Sequence, residues 1–259
     1  MPIKIKKVLL NTLIVVITMS VFLLLTPINK AFAKKVTPEF DAHTQEKQAV
    51  KSYLMGKFNP SKHPAFAKVP RKYASRSGFY LREEALDAYK KMAKAARKEG
   101  VKLIIRSATR NFDYQKRIWE RKWRAQKKSR SAKNKALHIL KLSSMPSTSR
   151  HHWGTEVDLN AFNNKWFETG RGLKLYKWLT KNAENYGFSR PYTQKGKQRP
   201  TGYNEEKWHW SYTPLSIPMI RDARLVLNDA SITGFSGSQT AKQIGVVKKY
   251  ILGVSQSCQ

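Results

Sequence analysis

The chain has 259 residues and carries 50 lysines and arginines against 17 aspartates and glutamates, a net charge of +33. The length suffices for one sizeable domain with a full core. A single cysteine, Cys258, excludes a disulfide framework and a cysteine-based metal site.

Residues 1–33 read as an export signal. Lys4, Lys6 and Lys7 precede an apolar run from Val8 to Thr26, and Ala31-Phe32-Ala33 is a small-x-small cleavage site. An uncleaved anchor is the rival reading, because the run approaches the length of a bilayer span. For an exported chain the polyanions that such charge attracts are cell-wall polymers or anionic membrane surfaces, and nucleic acid is not expected.

Residues 34–78 hold Pro38, Pro60, Pro64 and Pro70 without a sustained period, and read as an extended N-terminal arm. His43 and His63 there read as surface histidines. Leu81 to Glu99 reads as a helix, with Ala85, Tyr89, Met92 and Ala96 on one stripe and Gly100 as its stop. Val101 to Ile105 reads as a buried strand. A second helix runs from Phe112 to near Lys128, with Tyr114, Ile118, Trp119 and Trp123 toward its buried side. From Lys116 to Lys141 eleven basic residues face one acid, Glu120. This segment is either a solvated face or a docking surface for anionic wall polymer or lipid headgroups.

The stretch from Ser149 to Asp158 sets His151 and Asp158 seven residues apart with Gly154 between them. Imidazole and carboxylate are both good zinc ligands. On a helix this separation amounts to roughly 10 Å of rise, too far for one metal. A tight loop turned at Gly154 can instead deliver Asp158 on a short strand, Glu156 to Asn160. A catalytic zinc needs a third protein ligand and an open position, and His209 is the best candidate. Gly172 to Tyr186 reads as a third helix and residues 189–204 as a loop. Trp208 to Tyr212 reads as a strand that turns three aromatics one way and His209 with Ser211 the other. If that strand extended back, parity would put Glu205 on the His209 face. Residues 215–259 read as a helical tail packed on the domain formed by residues 79–214.

Ser149-x-His151-x-x-Gly154-x-x-x-Asp158, followed by Glu206-x-Trp208-His209, resembles the zinc D-Ala-D-Ala carboxypeptidase family. That family includes the vancomycin-resistance D,D-peptidases and shares its fold with the hedgehog signalling domain. The resemblance covers roughly residues 70–215. It implies an α+β fold in which an antiparallel sheet carries a zinc cleft flanked by helices. It implies one zinc ion held by His151, Asp158 and His209. The base is then Glu206, with Glu205 as its competitor. Arg110 sits at the family's arginine, where its planar fork would grip a substrate carboxylate and stabilise the oxyanion. Gln115 matches the pattern beside Arg110, and Ser149 is the expected hydrogen-bond donor to substrate. His152 is expected behind or beside the cleft.

Two departures stand out. Glu156 replaces the family's small residue, and Ala108-Thr109 replaces its Gly-Tyr. The implied activity is hydrolysis of peptidoglycan stem peptides, most simply release of the terminal D-Ala. An endopeptidase cutting cross-links is the near alternative, and a non-catalytic zinc-containing wall-binding module is the alternative of another class.

Overall fold

A computed structural model describes residues 44–259. The export signal expected over residues 1–33 lies outside the described residues. The chain divides into two compact units, Met1–Ala49 and Val50–Gln259. The sheets, both cores and the candidate site belong to the second. No helix among the described residues is long and apolar enough to cross a membrane.

The reading of residues 34–78 as an extended arm is corrected over its described part. Residues 44–54 are helical (α1). Val50, Tyr53 and Leu54 recur at the spacing of one helical face, and Leu54 and Met55 are buried. Strand β1 (Phe66–Lys68) then pairs antiparallel with β2 (Tyr80–Arg82), Ala67 opposite Leu81. Helix α2 (Glu83–Lys98) begins with Glu83 and Glu84 and ends with Arg97 and Lys98, the charge order that the helix dipole favours. Its stripe of Ala85, Tyr89, Met92 and Ala96 is fully buried. Burying a side chain such as Met92 stabilises by about 1.5–3 kcal/mol.

The strand expected over Val101–Ile105 forms later, as β3 (Ile105–Ser107). Its partner β4 (Glu156–Leu159) stops at Asn160, which takes a left-handed φ of 59°. From there the Asn160 side chain accepts from Ile104 N at 3.0 Å and donates to Lys102 O at 2.9 Å. These bonds stand in for a ladder, so Val101 and Leu103 are buried without being strand.

The four-stranded sheet runs β3-β4-β6-β5, antiparallel throughout, with β5 at Phe188–Ser189 and β6 at His209–Tyr212. In the central pair Asp158 lies opposite His209 and Glu156 opposite Ser211. Because successive side chains alternate, Val157, Leu159 and Trp210 enter one core with α2 and α5 (Gly170–Asn182). Glu156, Asp158, His209 and Ser211 take the other face. A second core joins α1 to α3 (Phe112–Arg124), α4 (Ala132–Ile139), α6 (Thr213–Val226) and α7 (Ala241–Ile244), through Trp119, Ile139, Ile220 and Ile244. The C-terminal tail builds much of it, down to the buried Cys258. Ser216 of α6 meets Ser211 of the sheet, Oγ to Oγ, at 2.8 Å. The polar face of the sheet therefore lies against this second, helical core.

Candidate active site

Arg150–Trp153 forms a single 3-10 turn, closed by Gly154 at φ 79°. A Cβ on Gly154 would run into the Phe66 ring. Gly154→Ala is expected to cost about 1–2 kcal/mol from the left-handed backbone alone, with the clash adding to it. A lowered urea midpoint would register the loss.

The turn aims His151 at β4. His151 Nδ1 lies 2.8 Å from the Ala108 carbonyl. A carbonyl only accepts, so Nδ1 carries the proton and Nε2 keeps its lone pair. That Nε2 sits 3.3 Å from Asp158 Oδ2. On the neighbouring strand, His209 Nε2 lies 2.7 Å from Glu156 Oε2, and His209 Nδ1 lies 3.0 Å from Asp158 Oδ1. His151 Nε2 and Asp158 Oδ1 are buried with no hydrogen-bond partner. Buried polar atoms without partners are uncommon and call for a cause. The three ligand atoms of His151, Asp158 and His209 all lie within 4.8 Å of one another. Bonds of about 2.0–2.1 Å at tetrahedral angles put neighbouring ligand atoms about 3.3 Å apart, and the two contacts to Asp158 match that spacing. The donor set therefore fits a divalent cation such as zinc.

Burial and the surrounding charges set the proton states of these groups. Burial brings His151 down to about 4, so its ring is neutral. Burial pushes the Glu156 carboxyl up, but Arg150, His209 and Ser211 outweigh it and hold it at about 2. Glu156 is thus an anion that accepts from His209 Nε2–H, which leaves Nδ1 turned toward Asp158. Burial disfavours a charged His209, yet Asp158 and Glu156 raise it to about 9.

Glu206 and Arg110 line the same cleft, a space of about 380 Å³. Glu206 is buried, with Oε2 at 3.5 Å from His209 Nδ1. Burial pushes its carboxyl up to about 8, against the pull of His209 and Arg110. Glu205 instead pairs with Arg190 at 3.1 Å, away from the cleft lining. Strand parity did not apply to it because β6 begins only at His209, and a turn closed by His209 N to Glu206 O at 3.3 Å precedes it. Arg110 Nη1 donates to Ser107 Oγ at 2.7 Å and reaches Asp158 Oδ2 at 3.5 Å. Its backbone is held on both sides. Arg110 N donates to His151 O at 3.1 Å, and the buried His152 gives its Nδ1–H to Arg110 O at 2.5 Å.

Gln115 lines the cleft, donating to Ser144 O at 2.8 Å with Oε1 unpartnered. Ser149, expected to donate to substrate, has a buried hydroxyl with no hydrogen-bond partner. It stands at the N-cap position of the turn that carries His151 without a side-chain capping bond, is 1% exposed, and is not among the residues lining the cleft.

Several residues of the site were not singled out from the sequence. Arg150, wholly buried, reaches Glu156 Oε1 at 3.1 Å and Ser211 Oγ at 2.8 Å. Tyr192 packs its ring 4.6 Å from that of His209. Arg76, Arg106, Arg121 and Lys122 stand in the cleft wall. Arg121 and Lys122 belong to the basic segment Lys116–Lys141, whereas nothing in the local sequence of Arg76 and Arg106 separates them from the rest of a very basic chain. Arg150 did carry a signal, since it adjoins His151 and shares its turn.

The family described as "VanY: D-alanyl-D-alanine carboxypeptidase" matches residues 78–215. The "Putative carboxypeptidase YodJ" of Bacillus subtilis is 34% identical over 154 residues, 58% of this chain and 53% of the relative. A "D-alanyl-D-alanine carboxypeptidase" of Enterococcus faecalis is 35% identical over 121 residues, 46% of this chain and 42% of the relative. The chain thus spans about half the length of these two relatives. Among solved structures, the LdcB LD-carboxypeptidase is 26% identical, covering 64% of this chain and 76% of its own, with a TM-score of 0.49.

Proposed function

The chain belongs to the VanY D-alanyl-D-alanine carboxypeptidase family, and from that premise we propose that it is an exported zinc metallopeptidase acting on peptidoglycan stem peptides, releasing the terminal D-Ala. One observation carries the reading. The unpartnered His151 Nε2 and Asp158 Oδ1 converge with His209 Nδ1, and a buried carboxyl, Glu206, stands 3.5 Å from that last atom. The lysines before the apolar run and Ala31-Phe32-Ala33 support export. The exposed Arg117, Arg124, Lys127 and Lys128 support a further contact with anionic wall polymer or membrane surface.

When bound, zinc supplies a Lewis acid for the scissile carbonyl and brings a water toward neutral pKa. His151, Asp158 and His209 hold it. Glu206 takes the proton of the attacking water and passes it to the leaving amine. Its burial favours the protonated carboxylic acid, which suits it to the second of those two tasks. Arg110 receives the substrate's free carboxylate with a guanidinium that Ser107 and the backbone bonds keep in place. Arg110→Lys would keep the charge but lose the planar fork. It is expected to raise KM by about tenfold, one charge-assisted hydrogen bond lost, as read from initial rates on a pentapeptide.

The direct test is mass spectrometry of muropeptides incubated with zinc-loaded and chelated protein in parallel. Loss of one alanine from pentapeptides, only with zinc, is expected. Conversion of cross-linked dimers to monomers would assign an endopeptidase instead. No change in either sample, with zinc still bound, would point to a non-catalytic wall-binding module.

A further inference from the structure

The cleft wall carries five cationic side chains, Arg76, Arg106, Arg110, Arg121 and Lys122, against two carboxylates, Asp158 and Glu206. Both carboxylates are already engaged, Asp158 among the ligand atoms and Glu206 beside His209. A terminal carboxylate of the substrate neutralises one cation, and Arg110 is placed for it. The other four form no ion pair among the described residues.

Arg76, Arg106 and Arg121 are exposed along the cleft wall, and Lys122 sits deeper beside them. Lys122 is partly buried and gives its ammonium to Ser143 Oγ. Burial lowers its pKa, while Glu206 pulls the other way. A desolvated cation without a counter-charge costs stability that an anionic ligand can offset. Arg106 projects from β3, one residue from Ser107, the hydroxyl that holds Arg110. Its guanidinium lies 5.7 Å from the Phe162 ring centre. Arg76 rests on Phe79 at 4.4 Å and donates to Tyr114 OH at 3.1 Å. These apolar and hydroxyl supports leave the charges of Arg106 and Arg76 uncompensated at the cleft wall.

Resting on the carboxypeptidase reading, we infer that the substrate is an acidic stem peptide, one that brings at least one further free carboxylate, upstream of the scissile bond, to the wall formed by Arg76, Arg106, Arg121 and Lys122. Two positions of a stem peptide can supply it. One is the α-carboxylate of the γ-linked D-glutamate at the second residue. The other is the side-chain carboxylate of a diamino diacid at the third residue. A peptide amidated at the second residue and carrying a plain diamine at the third would leave these four cations unmatched.

The experiment measures kcat/KM of the zinc-loaded protein on four pentapeptides ending in D-Ala-D-Ala. They carry both upstream carboxylates, either one alone as the other's amide, or neither. The diacid peptide is expected to exceed the doubly amidated one by about tenfold or more, the worth of a charge-assisted hydrogen bond. The advantage is expected to shrink in high salt, and the singly amidated peptides identify which carboxylate is read. In Arg106→Gln and Arg121→Gln, each checked for an unchanged melting temperature, the ratio of diacid to diamide rates is expected to fall toward one. Equal rates on all four peptides would overturn the inference while leaving the carboxypeptidase reading standing. A ratio that survives both substitutions, together with Lys122→Gln and Arg76→Gln, would overturn the assignment to this wall. Cleavage of none of the peptides would remove the carboxypeptidase reading and the inference with it.

Discussion

Glu156→Ala is expected to destabilise the metal-free fold by about 3–5 kcal/mol, because it strands a buried guanidinium, and to weaken zinc binding by about 10–100-fold. Arg150 and Glu156 both have wholly buried side chains, 3.1 Å apart. Two of the three Arg150 nitrogens, Nε and Nη1, already have no partner. Without Glu156 the guanidinium keeps the Trp153 ring, 4.6 Å away, and one hydrogen-bond partner, Ser211, itself a donor to Glu156 Oε1 at 2.7 Å. The second loss falls on His209, whose Nε2–H would have no acceptor in place of Oε2. Its ring would then be free to carry the proton at Nδ1, the atom needed for the metal.

The two losses separate in the double variant Arg150→Met with Glu156→Ala. Replacing a buried ion pair by apolar side chains is often neutral, so most of the stability should return. Zinc affinity should not, because the acceptor for His209 is still missing. Urea unfolding of the chelated protein and competition against a chromophoric chelator measure the two effects. Unchanged values for both in Glu156→Ala would show that this carboxylate is a bystander.

How Glu156 looked from the sequence marks where sequence reading stops. Period-2 alternation places Glu156 and Asp158 on one face, and the structure agrees. Alternation could not say what meets a side chain on that face. Arg150 does so across a turn whose shape depends on Gly154 and on packing against Phe66. The elements with a strong local pattern were legible, as the buried stripe of α2 and the aromatic face beside His209 illustrate. Those that depend on a distant partner were not. The strand expected at Val101–Ile105 shifts because β4 ends at Asn160. α1 packs in a core with α3 and the C-terminal tail, and Tyr53 OH donates to Trp153 O at 2.8 Å, partners far along the chain. Parity also failed at Glu205, since a strand rule holds only while the ladder lasts, and β6 begins at His209.

Glu206→Gln is expected to lower kcat by about 10²–10⁴-fold, the usual worth of a positioned general acid–base group, with zinc still bound. Glutamine preserves the size and one oxygen of the side chain but neither takes up nor delivers the water's proton. The fold should tolerate it. Burying a carboxyl costs stability, and Glu206 forms no hydrogen bond through its side chain other than its 3.5 Å approach to His209 Nδ1. Metal content should hold because the converging ligand atoms belong to His151, Asp158 and His209. Glu205→Gln is the matched control. It removes only a partly exposed pair with Arg190, worth about 0–1 kcal/mol, and should leave kcat near the parent value. Single-turnover rates on a pentapeptide, with zinc counted in the same samples, test the pair. A slow Glu206→Gln that has also lost zinc would mean that Glu206 helps hold the metal. If Glu205→Gln were the slow variant, the proton would travel by a route that the buried carboxyl beside His209 does not serve.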